Sequence, residues 1–428
     1  MDDDRWREDD NRRQNEVTSD AELDTQTVGG EDVVPDLAGD PVDLLEPDAA
    51  AGDFETAEDL TPDGPDDRGR QEDGRNGWLR NRSAWWWIVG GLGTAFVLAM
   101  LFWPRFIEPF RKPIPEEIGG LQVVGFYDED QEHTQPSALS LLKTNKRRLD
   151  YLAPFWYKVK SDGSIETRVE RDSMAEAMKA GIPIVPLVNN DRGNDAFLHD
   201  TAARSRAVQN IARLVRDNNY AGVNIDFQLL AVDSKQELVA FMEALRRALP
   251  RGKLLQTSII PVEQTTAKEE TYDYDKLAAA VDNVILMTYD RHGQESDPGP
   301  VAPIDWVENS IKIALDRGIP ANKIFLGIAT YGYDWRVGAK GEKAKIVPMK
   351  QVQAERTEKH EFDEKTQSSR FSYNGTDGRH EVWYEDERTV GAKVALAKKY
   401  DLRGVAIWRM GYEDQNWWDA FAKALGRK

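Results

Sequence analysis

The sequence contains no cysteine and only five histidines among its 428 residues. Without cysteine the chain can form neither disulfide bonds nor thiolate metal sites, and this absence is compatible with an exported domain. The histidines do not have the spacing of a metal site, and no Ser-His-Asp order or glycine-rich phosphate loop stands out. They are His133, His199, His292, His360 and His380. We therefore predict no metal and no cofactor.

Basic stripes are also lacking, because the charge is placed unevenly along the chain. The net charge is −19, and residues 1–78 hold 26 acidic residues against seven arginines, so the remainder is formally neutral. A nucleic-acid ligand is therefore not expected. The acidic segment is nearly empty of aromatic residues and cannot bury enough apolar area to fold alone. We predict a disordered cytoplasmic tail over 1–83, whose default role is solvation and whose alternative is binding a cytoplasmic partner.

One long hydrophobic run is present, from Ala84 to Trp103, and it contains no charged residue. Twenty apolar residues suffice to span a bilayer as a helix, and tryptophans at both ends suit the membrane interfaces. The run begins too far from the N-terminus for a cleaved signal peptide. Five arginines precede it and three basic residues follow closely, which favours a cytoplasmic N-terminus and an extracytoplasmic C-terminal part. We predict a single-pass membrane protein with a proline-rich linker over 104–119.

Short apolar runs alternate with amphipathic segments through the C-terminal part. Eight strand candidates in this order predict an α/β fold, a (β/α)8 TIM barrel over 120–425, with a doubly wound open sheet as the alternative. Hairpin signals between the last two strands predict a small α+β insertion over 335–388. The strand candidates are 121–127, 151–159, 182–188, 222–227, 254–262, 284–289, 324–333 and 404–410.

The fourth strand candidate carries three polar residues in strict alternation with apolar ones. Asn224, Asp226 and Gln228 are separated by Ile225 and Phe227, so they share one face of the strand. Polar groups late in an apolar barrel strand are typical of an active site at the mouth of the barrel.

This segment resembles the signature strand of family-18 glycoside hydrolases, the chitinase-like barrels, which reads Asp-x-x-Asp-x-Asp-x-Glu. Ala221, Asn224, Asp226 and Gln228 take its four positions. Further segments in the family's order, from 121 to 425, make the chain similar to the bacterial cell-wall and spore-cortex branch of the family. They are 155–157, 284–290, 298–306, 327–335, 382–386 and 404–408.

The resemblance implies substrate-assisted hydrolysis, in which the 2-acetamido oxygen of the sugar attacks the anomeric carbon and a glutamic acid protonates the leaving oxygen. It places Gln228 at the position of that acid, Asp226 beside the acetamido group and Tyr289 as the hydroxyl that polarises it. It also assigns Asp290 to the cleft wall and Trp408 to the apolar floor under the sugar. Weaker candidates for substrate binding are Asn224, Met287, Tyr127, Trp156 and Tyr331.

Gln228 leaves three hypotheses open, because an amide cannot donate a proton as a carboxylic acid does. The first is a domain that binds N-acetylglucosamine-containing glycan (peptidoglycan, a chitin-like polymer or a matrix polysaccharide) and hydrolyses it weakly or not at all. The second is an active hydrolase or transglycosylase that takes its proton from Asp290, Glu263 or Glu295. The third is an envelope sensor or scaffold that signals through the acidic tail.

Overall fold

The computed structural model describes residues 120–128, 137–191, 193–262, 271–355 and 359–427. The predicted acidic tail, the membrane helix over 84–103 and the linker over 104–119 lie outside these ranges. Within the described ranges, none of the helices combines the length and the apolar character needed to cross a bilayer.

Fourteen strands form two sheets in the described part of the chain. In chain order they are β1 (Gln122–Tyr127), β2 (Tyr151–Val159), β3 (Ile165–Thr167), β4 (Leu187–Asn189), β5 (Gly222–Asp226), β6 (Leu254–Ile259), β7 (Asn283–Leu286), β8 (Ile324–Ala329), β9 (Tyr331–Arg336), β10 (Lys345–Pro348), β11 (Glu361–Asp363), β12 (Ser368–Gly375), β13 (Gly378–Tyr384) and β14 (Gly404–Met410).

The first sheet is a closed barrel of eight parallel strands, in the order β1-β14-β8-β7-β6-β5-β4-β2, with β3 added antiparallel at the outer end of β2. The barrel closes because β1 pairs with both β14 and β2. This closure confirms the predicted TIM barrel and excludes the open doubly wound sheet. It also brings the carboxyl ends of all eight strands to one end of the barrel.

Helices lie between the barrel strands in sequence and cover the outside of the barrel, except for a short helix that follows β10 within the insertion. They are α1 (Ala138–Asn145), α2 (Arg171–Ala180), α3 (Ala196–His199), α4 (Thr201–Asp217), α5 (Lys235–Ala248), α6 (Tyr274–Ala280), α7 (Ile304–Asp316), α8 (Met349–Glu355), α9 (Glu387–Lys399) and α10 (Gln415–Leu425).

Strands buried on both faces need apolar residues on both, and the structure has two corresponding clusters. The large one, which we call the helix-facing cluster, contains Val223, Ile225 and Phe227 together with the buried helix faces. The small one fills the barrel and contains Val124, Phe126 and Ile285.

The second sheet is an antiparallel insertion between β8 and β14, with the order β10-β9-β13-β12-β11. The single strand predicted over 324–333 is in fact two strands, because the chain leaves the barrel at Thr330 and enters the insertion. The insertion begins with Tyr331 in β9 and ends before α9 begins at Glu387. The predicted bounds, 335–388, therefore fall inside β9 and inside the first turn of α9.

A buried ion pair joins the end of the insertion to the barrel layer. The Lys393 ammonium on α9 lies 2.5 Å from the Glu385 carboxylate, which directly follows β13. Both side chains are at most 1% exposed. Burial raises the pKa of Glu385, and the neighbouring Lys393 opposes that rise. Removing either side chain would therefore leave the other one buried without its partner of opposite charge.

We expect Lys393→Met to lower the free energy of unfolding by about 3–5 kcal/mol, because it leaves the Glu385 carboxyl buried without its cation. Chemical denaturation of the full-length protein measures this loss. The control is Lys399→Met on the same helix, which removes a solvent-exposed pair with Glu308 and should change stability little. Equal losses in the two variants would contradict the role assigned to the buried pair.

Candidate functional site

The polar row of β5 faces the inside of the barrel mouth. Val223, Ile225 and Phe227 belong to the helix-facing cluster, so Asn224, Asp226 and Gln228 take the opposite face. Asn224 is fully buried and Asp226 is 4% exposed, whereas Gln228, beyond the strand end, is partly exposed. The structure thus places the row at the carboxyl end of β5, with its last member nearest to solvent.

Asp226 and Gln228 are joined by hydrogen bonds. The Gln228 Nε2 amide lies 2.9 Å from each of the two Asp226 carboxylate oxygens. An ionised carboxylate only accepts hydrogen bonds, so the amide nitrogen, and not the amide oxygen, must face it. The same Nε2 lies 3.7 Å from the sulfur of Met287, which places the predicted Met287 in this group. The acid position therefore presents a permanent hydrogen-bond donor toward Asp226.

Asn224 lies deeper in the barrel and bonds to the neighbouring strand. Its Oδ1 accepts a hydrogen bond of 3.1 Å from the Ser258 hydroxyl on β6. Its Nδ2 has no hydrogen-bond partner among the described residues. Asn224 is therefore held by β6, and its buried amide nitrogen remains without a hydrogen-bond acceptor among the described residues.

The main chain of Gln228 is held by Asn190, which follows β4. Asn190 Oδ1 accepts from the Gln228 N–H at 2.9 Å, and Asn190 Nδ2 donates to the Gln228 carbonyl at 2.9 Å. The Gly193 N–H donates to the same carbonyl at 3.1 Å. Asn190 is 1% exposed, so these bonds are shielded from water. Asn190 was not among the predicted site residues, and the sequence marks it only as part of a polar pair directly after the apolar run 182–188.

Trp408 forms an aromatic floor with three other rings. The Phe126 ring meets it edge-on at a centroid distance of 5.6 Å, and the Phe155 ring does so at 6.4 Å. Tyr289 is nearly parallel to it at 6.5 Å. Trp408 itself is partly exposed, so one surface of the indole is available at the barrel mouth.

The structure does not bring Tyr127 and Trp156 into this group. Both are buried in the helix-facing cluster. The residues of β1 and β2 that reach Trp408 are their neighbours Phe126 and Phe155. Alternation along each strand accounts for this, because Val123 in β1 and Leu152 in β2 also lie in the helix-facing cluster, an even number of residues before Tyr127 and Trp156. We therefore replace Tyr127 and Trp156 by Phe126 and Phe155 as the aromatic wall.

Tyr289 keeps its hydroxyl proton. Burial and the negative charges of Asp226 and Asp290 raise the pKa of Tyr289 well above its usual value. A neutral phenol donates a hydrogen bond, so Tyr289 can polarise a carbonyl oxygen placed beside it.

Asp290 closes the group on the side of the insertion. Its Oδ1 accepts hydrogen bonds from the Tyr331 hydroxyl at 2.5 Å and from the Tyr333 hydroxyl at 2.8 Å. Its backbone φ of +61° is in the left-handed region, which aspartate tolerates better than most residues. The predicted Tyr331 thus belongs to the site, and Tyr333 is a further member that the sequence did not single out.

Among the described residues, Glu295 and His292 make their contacts elsewhere. Glu295 pairs with Lys343 at 3.0 Å, and its side chain is 68% exposed. The His292 ring bonds to the Asp297 carbonyl at 3.1 Å. Glu263 lies outside the described residues. Throughout the described ranges no three acidic or histidine side chains are grouped in a way that could hold a metal ion.

Comparison with known proteins identifies the family. A family model described as "Glycosyl hydrolases family 18" matches residues 122–413, which are the barrel with its insertion. The chain belongs to family 18 of the glycosyl hydrolases. The resemblance read from the signature strand is therefore confirmed.

Relatives of this family-18 chain include bacterial proteins named as a lytic enzyme and as a glycosylase. The cortical fragment-lytic enzyme of Bacillus anthracis is 28% identical over 314 residues, which are 68% of this chain and 73% of that protein. The uncharacterized glycosylase YvbX of Bacillus subtilis (strain 168) is 31% identical over 233 residues, 53% of this chain and 67% of that protein. The crystal structure of a chitinase from Chromobacterium violaceum ATCC 12472 has a TM-score of 0.65 at 28% identity and covers 72% of this chain and 100% of that one.

We expect Asn190→Ala to loosen the segment that carries Gln228. The backbone N–H of Gln228 would lose its buried acceptor, and its carbonyl would lose one of two donors. Such a loss costs about 1–3 kcal/mol of stability. The backbone N–H of Gln228 should exchange its hydrogen faster in this variant than in wild type. The unfolding free energy is measured on the same samples.

The matched control is Asn218→Ala, which removes an exposed amide bonded only to the carbonyl of Leu214 at the end of α4. If Gln228 exchanges equally slowly in wild type and Asn190→Ala, then Asn190 does not position the site.

Proposed function

We propose that this chain is a membrane-anchored, extracytoplasmic glycan-binding protein whose family-18 barrel recognises N-acetylglucosamine-containing polysaccharide. In this proposal hydrolysis is weak or absent, because Gln228 stands where the family has its general acid. The polymer is peptidoglycan, a chitin-like chain or a matrix glycan, and the wall-lytic relatives favour peptidoglycan.

The observation that carries the proposal is the amide at the acid position. General acid catalysis contributes roughly 10²–10⁴-fold to rate, and an amide N–H has no useful acidity at neutral pH. The Gln228 Nε2 is also already engaged, since it donates to both oxygens of Asp226. A sugar in the cleft therefore finds hydrogen-bonding groups but no proton for the leaving oxygen.

The remaining groups suit the binding of an N-acetyl sugar. The Asp226 carboxylate accepts hydrogen bonds and can receive the N–H of an acetamido group. The neutral Tyr289 hydroxyl can donate to the acetamido oxygen, because its pKa is raised. Trp408 offers an apolar surface for a sugar ring, supported by Phe126 and Phe155. Apolar surface with a few placed polar groups is the usual composition of a ligand site.

An active hydrolase with another proton donor is the main alternative. Asp290 already accepts two tyrosine hydroxyls, as an ionised carboxylate would. Glu295 is exposed and ion-paired with Lys343. Neither contact favours a proton donor aimed at a sugar, so we prefer the binding function.

The membrane anchor and the tail complete the proposal. The uncharged run from Ala84 to Trp103 supplies one membrane span, and the arginine excess before it supports a cytoplasmic N-terminus. A cytoplasmic partner for the acidic tail would make the protein a sensor or scaffold. Wild type that neither binds nor cleaves glycan would favour that role.

We expect Gln228→Glu to raise hydrolysis of chito-oligosaccharides by roughly 10²–10⁴-fold, because it restores a carboxylic acid beside Asp226. New reducing ends, counted after incubation with the full-length protein, measure the gain. Gln228→Ala is the control, since it removes the amide without adding an acid and should stay inactive.

Three outcomes would count against parts of this proposal. Rapid cleavage by wild type at neutral pH would overturn the impaired activity. Turnover that survives Gln228→Ala would establish another proton donor. If Gln228→Glu binds sugar but does not cleave it, the roles given to Asp226 and Tyr289 are wrong.

We expect Trp408→Ala to weaken binding of chitopentaose roughly 30-fold, as buried tryptophans commonly contribute about 2 kcal/mol to recognition. Titration calorimetry measures the change in Kd. The comparison variant is Trp156→Phe, which alters an indole in the helix-facing cluster and should leave sugar affinity unchanged. A larger effect from Trp156→Phe would restore Trp156 to the cleft wall.

A further inference from the structure

A second concave surface lies beside the cleft, at the same end of the barrel. It is a groove of about 500 Å3 between the loop that follows β7 and a turn of the insertion. The side chains that matter here are Arg291, His292, Asp305, Asn309 and Lys365. Arg291 and His292 directly follow Asp290, so one short turn separates the groove from the cleft.

The walls of the groove are fixed by hydrogen bonds between distant parts of the chain. The Ile304 N–H at the start of α7 donates to the Thr366 carbonyl at 3.0 Å, which ties the helix to the insertion. The Asp363 carboxylate accepts from the backbone N–H groups of Lys365 and Thr366 at 2.9 and 3.0 Å. Lys365 is therefore presented by an ordered turn.

The charge of the groove is positive, although the sequence outside the acidic tail is formally neutral. Arg291 and Lys365 are cationic, and Asp305 is the one carboxylate among the described lining residues. The first turn of α7 adds the positive end of the helix dipole. Within the described residues the Lys365 ammonium forms no ion pair. These features favour a ligand that carries negative charge.

The turn between groove and cleft is thin. A methyl group built on Gly293 would lie 3.7 Å from the Asp290 side chain and 4.0 Å from the Tyr333 hydroxyl, which both belong to the cleft. Asp290 of the cleft is followed directly by the groove residues Arg291 and His292, so a substituent on a sugar bound beside Asp290 would need to cross only this turn to reach the groove.

We propose that this groove binds a carboxylate carried by the glycan, so that the protein selects an acidic N-acetylglucosamine-containing polymer over a neutral one. The inference rests on the glycan-binding function proposed above. The Arg291 guanidinium offers a carboxylate paired N–H donors, Lys365 adds a point charge, and Asn309 supplies a neutral amide. The carboxylate could belong to a lactyl ether on the sugar or to a peptide attached to it.

The test compares the affinity of the full-length protein for four probes by titration calorimetry. They are chitopentaose, an alternating N-acetylglucosamine and N-acetylmuramic acid oligosaccharide, its methyl ester, and the same oligosaccharide bearing a stem peptide. We expect wild type to bind the free acid about fivefold more tightly than the ester, with the preference declining as salt is added. The peptide-bearing probe shows whether the lactyl or the peptide carboxylate is the one recognised.

The variants are Lys365→Gln and Arg291→Gln, with Lys143→Gln on α1 as an exposed-lysine control. Each groove variant should lose most of the preference for the acid and keep the affinity for chitopentaose, whereas the control should keep both. Thermal unfolding of each variant verifies that the fold is intact.

Different results overturn different claims. Suppose that wild type binds chitopentaose and binds the acidic probes no more tightly than the methyl ester. The groove inference is then wrong, and the glycan-binding function stands. If the groove variants weaken chitopentaose as much as the acidic probes, the groove does not read the carboxylate. If folded wild type binds no glycan, the proposed function and this inference both fail.

Discussion

Hydrogen bonds from the Gln228 amide to the Asp226 carboxylate determine what the cleft can do. A glutamic acid at this position could give up its proton, whereas the amide keeps its hydrogens and offers them permanently to Asp226. Asn190 holds the main chain of Gln228 by a donor and an acceptor, so the backbone that carries the amide is fixed in place. This arrangement supports the proposal that the cleft binds glycan without transferring a proton to it.

Both acids of the cleft already have neutral donors from the chain itself. The Gln228 side chain donates hydrogen bonds to Asp226, and the hydroxyls of Tyr331 and Tyr333 donate to Asp290. A sugar that bonds to these carboxylates therefore exchanges one set of hydrogen bonds for another, and each exchange contributes little net free energy. In the proposed binding mode, the aromatic floor around Trp408 would therefore supply most of the affinity, and the carboxylates would determine which sugar fits.

Much of the barrel was predictable because strand periodicity depends on neighbouring residues alone. The candidates at 151–159 and 404–410 coincide with β2 and β14, and the alternation around Asp226 gave the correct face of β5. Tyr127 and Trp156 were misplaced, although alternation from Val123 and from Leu152 puts both on the helix side. The groove could not be predicted, since it joins Arg291 to Lys365 across a large separation in sequence.

The path of the chain out of the barrel at Thr330 has a mechanical consequence. The Thr330 N–H donates to the carbonyl of Trp408 at 3.0 Å, and its hydroxyl donates to the carbonyl of Arg409 at 2.7 Å. The first residue beyond β8 is thus bonded to the backbone beneath the indole. A rigid-body displacement of the insertion would therefore be transmitted through these two hydrogen bonds to the backbone of Trp408. The position of the insertion and the position of the aromatic floor are coupled in this way.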